Sequence, residues 1–110
     1  MKKYIQGFEN EQNIFDEFRA SRPEDIEIIF ASYGVYSYEG DAFVLFKKNG
    51  KLYEVNGSHC SCMGLEKQWE PEETTIKALK HRFIEGSFFS ESFHGEEAHE
   101  EMAKLLGVRT

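Results

Sequence analysis

The sequence has little of what a membrane, secreted or nucleic-acid-binding protein needs. No apolar run approaches the roughly 18 residues that span a bilayer. The start "MKKYIQGFENEQ" has two lysines and no apolar signal core behind them. A soluble, cytoplasmic protein with no membrane partner is therefore expected. Cations are scarce: 13 Lys and Arg stand against 20 Asp and Glu, and the net charge of −7 repels a phosphate backbone. The two small basic groups, Lys47/Lys48/Lys51 and Lys77/Lys80/Arg82, read as solvated faces, so no nucleic-acid partner is expected. The glycines are scattered through β-type sequence with no lysine-serine pair after them, which excludes a phosphate loop. There is no internal repeat, no low-complexity tract and no Pro/Gly/Ser-rich linker.

What is present fits one folded domain spanning residues 1–110. That length suits a single core, and a composition that is 40% hydrophobic with ten Phe and five Tyr predicts an aromatic one. Asn10 can cap a helix that places Ile14, Phe15 and Phe18 on one side before Pro23. The stretch "SRPEDIEIIFASYG" fits a helix through Ile26, Ile29, Phe30 and Tyr33 and a strand through Ile26, Ile28 and Phe30. The strand is preferred, because the β-type residues after it need a neighbour. The clearest signal is "DAFVLFKKNGKLYEVNG", two apolar-rich runs around Asn49-Gly50, a dipeptide suited to a type I′ hairpin turn.

After Trp69, "EPEETTIKALKHRFIEG" predicts a helix with Pro71, Glu72 and Glu73 in its first turn, Ile76, Leu79 and Phe83 buried, and Gly86 as its stop. A last helix, "EEAHEEMAKLLG", turns Ala98, Met102, Leu105 and Leu106 inward and ends at Gly107. The expected fold is α+β: a small antiparallel β-meander of three to four strands covered by about three helices. Trp69 and most of the other aromatics read as core or lid residues.

The segment "GSHCSCMG" holds His59 and the only two cysteines, Cys60 and Cys62, in four consecutive positions. A Cys-x-Cys disulfide would close a short, strained ring in a compartment that keeps thiols reduced. If the segment is extended, the two cysteines face one way and His59 the other, so one ion cannot reach all three. As a loop, it can offer His59, Cys60 and Cys62 to zinc, with a fourth ligand from His81, or from His94 or His99. The alternative is that both thiols are small buried hydrophobes. Thiol catalysis, with His81 as base and Glu66 or Glu70 orienting it, lacks the local signatures of known thiol enzymes. No catalytic residue is assigned.

The stretch "YEGDAFVLFKKNGKLYEVNGSHCSCMGLEKQWEPEETTIKAL" resembles a segment shared by short uncharacterised proteins of tailed bacteriophages and prophages, most recognisably in "GSHCSC" followed by "GLE", "QW" and "PEET". The resemblance covers about 40 residues. It implies a bacterial cytoplasm and a phage accessory gene, with no activity to carry over.

Residues 83–103 hold six Glu and no Lys or Arg. Glu72-Glu73 and Glu96-Glu97 are explained as first-turn residues and Glu100-Glu101 as surface, so acid–base chemistry is not required. The sequence thus favours a non-enzymatic acidic binding protein acting on a host protein, with Phe88, Phe89, Phe93, Glu96, Glu97, Glu100 and Glu101 as its contact surface. The alternative is a zinc protein built on His59, Cys60, Cys62 and His81. An acidic nucleic-acid mimic ranks below both, because Phe, Ser and Gly interrupt the glutamates.

Overall fold

The computed structural model describes residues 3–36, 39–59, 64–86, 89 and 94–108. In chain order these form β1 (Tyr4–Gln6), α1 (Glu11–Phe18), β2 (Glu27–Tyr36), β3 (Glu39–Lys48), β4 (Lys51–His59), β5 (Glu72–Thr74), α2 (Ile76–Glu85) and α3 (Glu96–Leu106). The class is α+β, as the sequence suggests. The sheet is larger and mixed: five strands in the order β1-β2-β3-β4-β5, with β1 parallel to β2 and every other pair antiparallel. A parallel pair requires a crossover, and α1 supplies it.

The central meander forms where expected. Asn49 and Gly50 both take positive φ, 52° and 78°, so the β3–β4 turn has the backbone that Asn-Gly favours and pairs Lys48 with Lys51. Strand β2 is confirmed over its helical competitor, but its register shifts between Ile28 and Phe30. This bulge explains the double periodicity in the sequence. Ile26 and Ile28 pack on one side of the sheet while Phe30 packs on the other, so an uninterrupted alternation through all three is not what forms.

Strand β3 is buried on both faces, which is why "AFVLF" reads as a continuous apolar run. Ala42, Val44 and Phe46 meet Ile14, Phe15 and Phe18 of α1. Phe43 and Leu45 meet Leu79 of α2 and Ala98, Met102 and Leu106 of α3. Trp69 closes the first layer, stacked on Phe46 at 5.8 Å and edge-on to Phe15 and Phe18 at 5.0 and 5.3 Å.

Local signals set the helix ends. Asn10 accepts from the Asn13 N–H at 2.9 Å, and Arg19 in the left-handed region ends α1 four residues ahead of Pro23. Helix α2 starts later than expected: Glu72 and Glu73 belong to β5, and Thr75 caps the helix by accepting from the Ala78 N–H at 3.0 Å. The pairing of residues 72–74 with Leu52–Glu54 outweighs the helix-start signal of Pro71. Helix α3 ends at Gly107 as predicted. At the other edge, Gly7 lies so close to β2 that an added Cβ would sit 2.0 Å from the Tyr33 carbonyl oxygen; only glycine allows this approach.

One buried charge joins α2 to the sheet. Glu54, 4% exposed, takes Arg82 across both carboxylate oxygens at 2.6 and 2.7 Å and also accepts from Asn56 at 2.8 Å. Burial alone would raise its pKa, but hydrogen bonds from Arg82, Thr74 and Asn56 outweigh it and hold the carboxyl below the usual range. Removing the carboxylate strands the remaining donors, so Glu54→Ala should lower unfolding free energy by about 2 kcal/mol. Urea denaturation checks this, and a change under about 0.5 kcal/mol would show that the pair is immaterial.

Candidate functional site

Two places carry the residues that the sequence singles out: the end of β4 and the outer side of α3. In β4, Tyr53 and Val55 face the α1 layer, and His59 follows in the same alternation. Its ring meets that of Tyr33 edge-on at 6.3 Å, and its Nδ1 is buried with no hydrogen-bond partner among the described residues. Cys60 and Cys62 lie outside the described residues.

The flanks of that segment are fixed by one side chain. The Ser58 N–H donates to Gln68 Oε1 at 2.7 Å, and Gln68 Nε2 donates to the carbonyls of Ser58 at 2.7 Å and Gly64 at 2.8 Å. Two carbonyls sharing one donor nitrogen lie within about 6 Å of each other. The Gln68 side chain thus holds Ser58 and Gly64 close to each other. Glu66 lies close by: N–H groups of Glu66 itself and of Gly64 hold its carboxyl below the usual range, with smaller contributions from Arg19 and His59.

The other histidines are not brought to His59. His81 is exposed on α2, on the opposite side of the sheet, where it lines an open cleft of about 640 Å³ with Glu54, Lys77 and Arg82. His99 packs on Phe83 at 4.7 Å in the same layer. His94 is 4% exposed in the core. The sheet therefore separates His59 from His81, His94 and His99, and among the described residues no three His, Cys, Asp or Glu gather as metal ligands. Sequence order alone does not show on which side of a sheet a later helix packs.

On α3, Glu96, Glu97 and Glu100 are exposed and Glu101 is half-buried, 3.6 Å from Lys104. Ala98, Met102, Ala103 and Leu106 face the core. Tyr4 of β1 lies beside this helix; burial chiefly, then the charges of Glu97 and Glu101, raise its hydroxyl pKa. The expected aromatic part of the surface needs correction. Phe89 is 5% exposed and packs edge-on to Phe30 and Phe43, with His94 stacked on it at 4.0 Å, so it belongs to the core and not to a contact surface. Phe88 and Phe93 lie outside the described residues.

Sequence reasoning misses a buried polar contact here. Ser32 Oγ and His94 Nδ1 are 2.7 Å apart, both within the core, linking β2 to the residue just ahead of α3. No short motif joins two residues 62 apart in the chain. The Glu54–Arg82 pair, 28 residues apart, is missed for the same reason, and Gln68 reads locally as an ordinary polar surface residue.

Comparison with protein-family models, curated proteins and solved structures found no match for this chain.

Burial lowers the His94 pKa from 6.5 to about 4. The unfolded chain then binds the proton more readily than the folded one, so this group's contribution is complete above pH 6.5 and is lost as pH falls through about 4. The whole window is worth on the order of 3 kcal/mol. Tm should fall between pH 7.5 and 5.0, and His94→Asn should start lower and vary less over that range. Identical wild-type Tm values at the two pH values would contradict this.

Proposed function

We propose that this protein is a non-enzymatic acidic binding protein whose α3 contacts a basic patch on another protein. The observation that supports it is the outer side of α3. Among the described residues, Glu96, Glu97 and Glu100 form no ion pair, while the inner side of the helix is committed to the core. Glu96 and Glu97 also complement the helix dipole; Glu100, a turn further on, has no such task. With a net charge of −7, this surface favours encounter with a cationic partner. The resemblance to phage and prophage proteins makes that partner a protein of the bacterial host, met in its cytoplasm. The buried Ser32–His94 contact is assigned to holding α3 on the sheet, not to hydrolysis.

Replacing Glu96, Glu97, Glu100 and Glu101 by Lys should reduce capture of a specific host protein from lysate at least tenfold while circular dichroism shows the fold retained. Equal capture by wild type and variant would overturn the reading.

A second reading is zinc binding through His59, Cys60 and Cys62. It is favoured by the buried Nδ1 of His59, which has no hydrogen-bond partner among the described residues. The fourth ligand in this reading is not His81, which lies across the sheet. Native mass spectrometry should then show one zinc per chain that disappears in the Cys60→Ser/Cys62→Ser variant. A metal-free wild-type spectrum would leave the thiols as packing groups.

A further inference from the structure

Helices α2 and α3 lie over the same side of the sheet and touch where the Phe83 and His99 rings meet at 4.7 Å. Their outer sides carry opposite charge. On α2, Leu79 is buried and Ile76 and Phe83 pack on the same core, which turns Lys77, Lys80 and Ile84, spaced as one helical stripe, out to solvent with His81 beside them. Lys77 and Lys80 form no ion pair among the described residues. Glu85, in the last position, is the one carboxylate of this helix. On α3 the outward residues are Glu96, Glu97 and Glu100, followed by Lys104, which is paired with Glu101.

Ile84 is 56% exposed within this cationic stripe, and Val35 in β2 is the only other large hydrophobic left as open among the described residues. A face with one basic and one acidic helix is complementary to itself. A twofold axis along the groove between the helices sets α2 of each copy over α3 of the other, so both contacts join opposite charges and the assembly closes at two chains. The charge of −7 per chain opposes any self-contact that does not match sign to sign in this way. Helices of 10 and 11 residues are about 15 Å long and lie about 10 Å apart, so the shared face measures about 15 by 20 Å, at the small end of specific interfaces. The contact is therefore weak and exchangeable.

We propose that a second copy of this chain covers α3 when no other partner is present: Lys77 and Lys80 of each copy meet Glu96, Glu97 and Glu100 of the other, and Ile84 is withdrawn from water. The proposal rests on the reading of α3 as a contact surface and adds its regulation. A host protein has to displace the second copy, which the small size of the interface permits.

Sedimentation velocity of the purified chain from about 5 to 500 μM should show a reversible monomer–dimer equilibrium. Lys77→Glu/Lys80→Glu and Glu96→Lys/Glu97→Lys/Glu100→Lys, each shown to be folded by circular dichroism, should each weaken the dimer at least tenfold. Mixed in equal amounts, the two variants should associate at least tenfold more tightly than either does alone, because every contact of the mixed dimer again joins opposite charges. Ile84→Ser, which keeps every charge, should weaken the wild-type dimer severalfold. A wild type that stays monomeric over this range would overturn the proposal, as would a dimer that survives both charge reversals or a mixture that does not associate. Lysate capture keeps the two readings apart, since Lys77→Glu/Lys80→Glu leaves α3 unchanged and should capture the host protein at least as well as wild type. A monomeric wild type whose capture is lost in the α3 quadruple Lys variant would sink this proposal and leave the host reading standing. A sign-matched dimer whose capture is unchanged in that variant would do the reverse.

Discussion

The double-sided burial of β3 is the constraint from which the rest of the fold follows. Ala42, Val44 and Phe46 on one side and Phe43 and Leu45 on the other each need apolar cover, and each fully buried large side chain contributes about 1.5–3 kcal/mol. A sheet with helices on one side only would leave half of this strand wet. Two layers therefore form: α1 with Trp69 below, and α2 with α3 and Phe89 above. The position of α3, and with it the outward presentation of Glu96, Glu97 and Glu100, is a consequence of this requirement.

Polar residues then fasten the layers in a fixed register, which apolar contact alone does not specify. Glu54 receives Arg82 from α2, and Ser32 meets His94 ahead of α3. Gln68 links the two ends of the segment that holds His59 and both cysteines. The first two join elements 28 and 62 residues apart in sequence, and each of the three would leave a buried or half-buried group unsatisfied if broken. The bulge in β2 complements them, because it lets one strand supply Ile28 to the lower core and Phe30 to the upper.

Features determined locally were legible in the sequence. The Asn49-Gly50 turn, the Asn10 cap, the buried stripe of the last helix and its Gly107 stop depend on residues a few positions apart, and all are present. Features determined by tertiary packing were not. Strands β1 and β5 are three residues each and become strands only by pairing with longer neighbours, so Glu72 and Glu73 read as a helix start. Phe89 sits among polar and glycine residues that suggest surface, yet the upper layer needs an aromatic between Phe30 and Phe43. For the candidate sites, the acidic exterior of α3 could be read from helical spacing. The separation of His59 from His81 by the sheet could not.

The proposed binding through α3 uses a surface left free by the packing of the core. Amide chemical-shift mapping of isotopically labelled protein, titrated with its captured host partner, tests it most directly. The largest shifts should fall on Glu96, Glu97, Glu100 and Glu101. A saturable complex in which the amides of α3 do not shift would contradict it.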